Sequence, residues 1–395
     1  MPPGRPWQRA ADVLAPLLLV SVALAVWPGE AASFSSPKLL VLAVGAAVAL
    51  VLAVAAPRPA PLLPRLLGFA WLASVGLSGL WGGDTHPARL GLEAASALLL
   101  VALLQRAPPP RAVLTGVVLA GSLVGLVGTL QALGLDPFRL AGLRPDLDTP
   151  RMRVFATLGN PDFVAALLGA SLAVTWAWVR APAGWLALAL QGGALAACAS
   201  WGSLLALAAA GAFALARSLL YIQPHERWTG ARWGALAAVL ALILLGLSGR
   251  PPSRILAGRL YLWRVAAPHV LDTPLLGGGP GSFVHRWPDW EARHWASPQA
   301  SHAERSFAAL QDHAHSDVLE WLLDLGLLGT LPRLALLALA LAAAARRPGP
   351  EGLAPGVGLA ALLGRALVDF PLARPAELCL LLFLTAACFP PRSPP

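Results

Sequence analysis

Long stretches of this chain hold almost no charge, and that feature constrains the fold more than any other. Leu39 to Ala56, Leu66 to Trp81, Val113 to Leu133, Ala235 to Leu247 and Leu334 to Ala345 are near-continuous apolar runs. A soluble helix alternates polar and apolar faces, whereas a helix in lipid is apolar all round. Because the runs do not alternate and are rich in Ala, Leu and Gly, membrane-spanning strands are disfavoured. Composition agrees: 57% of the 395 residues are hydrophobic and only 12% are charged. The expected fold class is all-α, a polytopic membrane protein built as one packed bundle.

Spans of roughly 17 to 25 residues predict about twelve transmembrane helices, near 12–27, 38–56, 64–81, 88–106, 112–133, 161–180, 183–199, 201–221, 231–249, 326–345, 353–370 and 375–390. The first run follows Arg5 and Arg9 as a signal peptide would, but no small-residue cleavage site follows, so it is expected to stay as a first helix. Arginine tests the parse, because it collects in cytoplasmic loops. Arg5, Arg9, Arg58, Arg65, Arg106, Arg111, Arg180, Arg217, Arg227, Arg232, Arg346, Arg347 and Arg392 all fall on one side, and the opposite short loops near 28–37, 82–87 and 371–373 are nearly free of arginine. Both termini are therefore expected in the cytoplasm. Three regions result: 1–249 with nine helices and an external loop at 134–160, 250–325 as a large external loop between helices 9 and 10, and 326–395 with the last three helices.

The net charge of +9 comes from 28 Arg and one Lys. Topology accounts for such a balance, and no nucleic-acid recognition module is present. Cys198, Cys379 and Cys388 lie in or beside apolar segments without metal-type spacing and read as core filler. The spans are nearly bare of charge, whereas transporters set ionisable residues near the bilayer midplane, so a transporter or flippase is the weaker class of function.

Two external connections break the arginine rule. The first, 134–160, carries Arg139, Arg144, Arg151 and Arg153; the second, 250–315, carries Arg250, Arg254, Arg259, Arg264, Arg286, Arg293 and Arg305. The second also holds His269, His285, His294, His302, His313 and His315, with Trp263, Trp287, Trp290 and Trp295. Those tryptophans suit either the headgroup level or stacking on sugar rings. Near the sixth span, Gly159-Asn160-Pro161 reads as a helix start, and Arg151 and Arg153 just before it suit an anionic headgroup or a pyrophosphate. Arg259 to Arg264 reads as a short helix, followed by a glycine turn from Asp272 to Phe283 whose amides could bind an anion. It is not a nucleotide-binding P-loop, because no Gly-Lys-Ser/Thr follows. His315 and Ser316 open a further helix, with Gly326 and Gly329 set for close packing or a bend. A neutral histidine at such a boundary can act as a general base. His302, Asp312, His313, His315 and Asp317 are the rival metal set, but positions i and i+2 on a helix point to different faces and no His-x-x-x-His pair occurs.

In this order and on this topology, the motifs resemble the O-antigen ligase and O-antigen polymerase superfamily of bacterial glycan-transferring membrane proteins. The family's histidine motif, His followed by Asn, Ser or Gln, nine residues and Gly-x-x-Gly, is met by His315, Ser316, Gly326 and Gly329. Arg259 to Trp263, Pro274 to Phe283, and Arg153 with Gly159 to Pro161 are similar to its other elements. Two positions depart: Trp263 stands at a leucine position, and Ser200-Trp201-Gly202 stands where Ser-Arg-Gly is expected, which removes one candidate phosphate contact.

The resemblance implies transfer of a glycan from an undecaprenyl-diphosphate carrier to a hydroxyl acceptor such as lipid A core. It implies no cofactor, nucleotide or metal. Among membrane lipids, it places the protein in the bacterial inner membrane with a periplasmic active site. Expulsion of a lipid diphosphate calls for cations that do not deprotonate, for which Arg153 and Arg259 are the candidates, and the acceptor hydroxyl needs a base, for which His315 is the candidate. Asp317 or Asp324 is expected to orient His315, and Arg264, Asp272 and His313 form a second tier. The ligase-type histidine motif favours a ligase, with a polymerase of the same superfamily as the alternative.

Overall fold

The computed structural model describes residues 6–27, 33–141, 154–179, 181–221, 253–298 and 300–389. The helices are α1 (Pro6–Leu24), α2 (Ser36–Ala55), α3 (Leu62–Trp81), α4 (Pro87–Gln105), α5 (Pro110–Ala132), the single turn α6 (Pro137–Leu140), α7 (Pro161–Trp178), α8 (Ala183–Cys198), α9 (Trp201–Tyr221), α10 (Ser253–Ala266), α11 (Ser282–Ala296), α12 (Asp317–Arg346), α13 (Pro350–Ala366) and α14 (Pro375–Ala387). No strand occurs among the described residues, apart from an isolated bridge between Arg58 and Arg106. Proline opens α4, α5, α7, α13 and α14. Its fixed φ suits the first helical position, where its missing N–H leaves no bond unmade.

Among the described residues seven helices are long and apolar enough to cross a membrane: α2, α3, α4, α5, α7, α9 and α12. Asp12–Leu24 of α1, α8 and α14 are shorter apolar helices. The expected ninth span, 231–249, lies outside the described residues. α14 forms the centre, with every one of its 13 residues buried. α2 and α3 lie at the rim, with Val44, Val51, Val54, Leu66, Phe69 and Leu80 exposed, as lipid-facing positions should be. Small residues let helices approach closely: a Cβ on Gly125 of α5 would stand 2.9 Å from the Leu190 carbonyl oxygen of α8.

The two ends of the bundle differ. At one end the arginines knit the connections together: Arg111 pairs with Glu351 at 2.8 Å, Arg347 pairs with Glu351 at 2.6 Å, and Arg217 donates to the Arg347 carbonyl at 2.7 Å. At the other end α10 and α11 form a cap with its own core of Tyr261, Leu262, Val265, Phe283, Trp287, Trp290 and Leu323. Trp287 and Trp290 are buried there rather than displayed at a headgroup level, because their rings fill the space between α10, α11 and the start of α12.

The helix expected from 326 begins at Asp317 and breaks at Gly326, where φ is +61° and ψ is −166°. A residue with a side chain is strongly disfavoured in that conformation. The break lets the glycine turn dock: Leu327 N–H donates to Pro274 O at 2.8 Å and Leu328 N–H to Leu275 O at 3.0 Å, replacing bonds that the helix loses. In return Gly278 N–H reaches Leu323 O and Gly279 N–H reaches Asp324 O, both at 2.9 Å.

The spans are also less bare than their sequence suggests. Arg333 of α12 is fully buried, bonded to Glu93 of α4 at 2.7 Å and packed over the Trp71 ring at 4.5 Å. Lys38, Arg365 and Glu377 are buried as well. Single charges hardly disturb a long apolar run, and what surrounds them is brought from far along the chain, as Glu93 is to Arg333 and Asp162 to Arg365.

Candidate functional site

A cavity of about 720 Å³ opens where the first turns of α7 and α9 meet the cap. α7 starts there because Asn160 caps it, accepting from Asp162 N–H at 2.8 Å, with Pro161 in the first helical position. α8 and α9 join at Ala199, whose φ of +49° makes the sharp turn. Two helix N-termini, with their partial positive charge, therefore face the same space. Aromatic side chains Phe163, Trp201, Tyr261, Trp287, Phe307 and Phe370 form much of the wall.

Arg259 and His315, 56 positions apart, both line this cavity. Between them stands Asp369, from the connection after α13. One of its oxygens lies 3.5 Å from His315 Nδ1 and 4.0 Å from the Arg259 guanidinium; the other accepts from Arg365 at 2.6 Å. Burial alone would raise the Asp369 carboxyl, but the His315 contact with Arg365 and Arg259 outweighs it and holds the group below the usual carboxylate range. His315 sits at φ +48°, an unusual conformation for a residue with a side chain, immediately before Ser316 caps α12. With Nδ1 toward the carboxylate, Nε2 is the nitrogen left to meet a substrate.

Arg365 is committed to structure. It donates to Ser200 Oγ at 2.9 Å, to Asp162 at 3.2 Å and to Asp369, and is 1% exposed. A Cβ on Gly202 would stand 2.6 Å from its guanidinium, so the glycine after Trp201 is a seat for an arginine supplied by another helix. Arg259 is freer, with its side chain 21% exposed. Burial lowers its pKa from the ordinary value while Asp369 opposes the change, and a guanidinium remains charged throughout.

The other expected residues fall elsewhere. Arg153 lies outside the described residues, although Val154, its neighbour, lines the cavity. Neither Asp317 nor Asp324 faces His315: Asp317 accepts from Leu372 N–H at 3.0 Å, and Asp324 holds the glycine turn through Gly281 N–H at 2.7 Å, Phe283 N–H at 3.0 Å and Ser282 Oγ at 3.0 Å. The glycine turn's amides are thereby spent on α12 rather than free for an anion. His313 bonds Glu320 at 2.9 Å and stacks on Phe370 at 4.1 Å. Burial holds His313 below its ordinary pKa although Glu320 pulls upward. Arg264 pairs with Glu304 on the cap, and Asp272 bonds His269 at 2.8 Å; neither lines the cavity. Among the described residues no group of three or more His, Cys, Asp or Glu gathers as metal ligands would. Cys198, expected as filler, lines the cavity instead.

Fold and site define a polytopic helical membrane protein whose chemistry-bearing side chains meet under a cap at one end of the bundle. A family model described as O-antigen ligase matches residues 163–332, so this stretch is similar to proteins of that family. The matched stretch holds Arg259 and His315 and stops before Arg365 and Asp369. No curated protein matches the chain.

Proposed function

We propose that this protein is a membrane glycosyltransferase that moves a glycan from an undecaprenyl-diphosphate carrier to a hydroxyl acceptor, as an O-antigen ligase does, at the outer face of the bacterial inner membrane. The observation that carries the reading is the meeting of Arg259, His315 and Asp369 at one aromatic-walled cavity.

His315 Nε2 takes the proton as the acceptor oxygen attacks the anomeric carbon. The bond from that carbon to the diphosphate oxygen breaks, and its electron pair leaves with the carrier diphosphate. Asp369 fixes the imidazole and stabilises its positive charge, while Arg259 and Arg153 neutralise the leaving group. The lining carries Arg259 against Asp162 and Asp369, and Arg365 behind it, paired with both acids, evens the count. A diphosphate therefore needs a further cation, and Arg153, next to the cavity residue Val154, is the sequence's nearest supply. Aromatic walls suit sugar rings, whose C–H faces pack on them. A polymerase would differ only in its acceptor, a second carrier-linked chain.

Purified protein given a polyprenyl-diphosphate-linked glycan and a hydroxyl acceptor in EDTA should form product. His315→Ala or Arg259→Gln should lower the rate by roughly 10²- to 10⁴-fold. Transfer that appears only when divalent ion is added, or survives in His315→Ala, would sink the mechanism.

A further inference from the structure

Next to the cavity but outside its lining stands a cation for which the mechanism has no use. Arg374 is the N-cap residue of α14. Its guanidinium lies 4.1 Å over the ring of Phe163 and 5.0 Å over that of Phe370, two side chains whose other surfaces line the cavity. Among the described residues its guanidinium makes no hydrogen bond or ion pair, and its Nε is buried without an acceptor. Glu377 and Asp312 influence it from a distance, but neither pairs with it. Of the acids near it, Glu320 is spent on Arg89, on His313 and on the Ala314 amide, while Glu377, three positions on in α14, keeps a buried Oε1 that bonds to nothing in the described chain. Arg374 is half-buried, whereas the fully buried arginines of the bundle, Arg333 and Arg365 included, each have a carboxylate or a carbonyl.

A guanidinium offers five donors in a planar fork, and withdrawing it from water without an acceptor is costly. The guanidinium sits in the corner between two rings set 72° to each other, and its N–H groups are left without an acceptor among the described residues. We propose that Arg374 is a second anion-binding residue, receiving a phosphate or carboxylate group of a bound lipid-linked substrate beside the Phe163–Phe370 wall. The fork geometry selects such a two-oxygen anion. This inference extends the glycan-transfer reading by separating two anion positions: Arg259 on the His315 side, and Arg374 beyond the phenylalanines. The anion belongs either to the carrier lipid or to a phosphorylated acceptor glycolipid.

Full-length protein in phosphatidylcholine nanodiscs separates these sources when titrated with undecaprenyl diphosphate and, separately, with a bis-phosphorylated glucosamine disaccharide lipid. Arg374→Gln should weaken one of the two by tenfold or more, and the probe affected names the source. Arg374→Met, which keeps a stem on the rings, should do the same and guards against misfolding of the first variant; Arg374→Lys should lose less. Arg259→Gln should weaken undecaprenyl diphosphate. If both Arg374 variants bind both probes within twofold of wild type while Arg259→Gln is weakened, Arg374 only braces the wall and this inference fails alone. If wild-type protein binds neither probe, the glycan-transfer reading fails with it.

Discussion

Replacing Asp369 with asparagine removes one charge from the site and leaves the side chain's size nearly unchanged. In the structure the carboxylate is 3.5 Å from His315 Nδ1. At an effective dielectric of about 20, two unit charges at that separation interact by about 5 kcal/mol. The imidazolium charge is spread over its ring and the His315 side chain is 32% exposed, so solvent takes a share. About 2–3 kcal/mol of transition-state stabilisation is left, or roughly 30- to 150-fold in kcat. The same substitution frees Arg259 from a competing carboxylate at 4.0 Å, so KM for the carrier-linked donor should stay level or fall. Steady-state transfer at saturating acceptor, with donor varied, reads both effects. A variant within threefold of wild type in kcat would refute the proposed orientation of His315. A rise in KM with kcat intact would move Asp369 from the base to the donor.

Other perturbations probe the scaffold. Because the Asp369 carboxyl is held below its ordinary range, its stabilising contribution is complete above the unfolded value near 4 and is lost only as pH falls through the lower folded value; thermal melts should thus show no Asp369-dependent loss between about pH 7 and 5, and Asp369→Asn should flatten the acid limb below that. Gly326→Ala forces a Cβ to within 2.4 Å of the Leu275 carbonyl carbon at a φ of +61°, so it should cost about 3 kcal/mol or more and appear as a lowered melting temperature. Asp324→Ala should speed amide exchange across 278–283 on the second-to-minute scale, since the turn loses three acceptor bonds, whereas equal protection would show that the backbone bonds to α12 suffice. Arg333→Met strands a buried Glu93 and should destabilise by about 3–5 kcal/mol, most of it recovered when Glu93→Gln is added; a double variant no better than the single would refute the pairing argument.

The spans were legible because an apolar run long enough to cross lipid has few other fates, and proline marks where several begin. Arg259 and His315, which line one cavity, were singled out through the resemblance: a short helix similar to the family's arginine element, and the histidine motif. Asp369 was not. It falls at the end of the span expected near 353–370, far along the chain from His315, and nothing nearby marks it as a site residue. One clue was available, since an acid flanked by Val368 and Phe370 at the cap end of a span has to find a partner. Arg365, four residues earlier within an apolar run, carried the same clue. The expectation that Asp317 or Asp324 would orient the histidine followed nearness in sequence. Helical geometry overrules it, because α12 turns both carboxylates away toward Leu372 and the glycine turn.

The interruption at Gly326 also has a mechanical meaning. Thirty unbroken helical residues would make a rod of about 45 Å, and tilting it by about 10° around its middle, as a change in lipid thickness can, would swing its tip by about 4 Å. His315 stands at that tip. Cutting the rod at the glycine and fastening the outer stub to the α10–α11 cap removes the lever, so the embedded part can lean with the bilayer while the imidazole keeps its place.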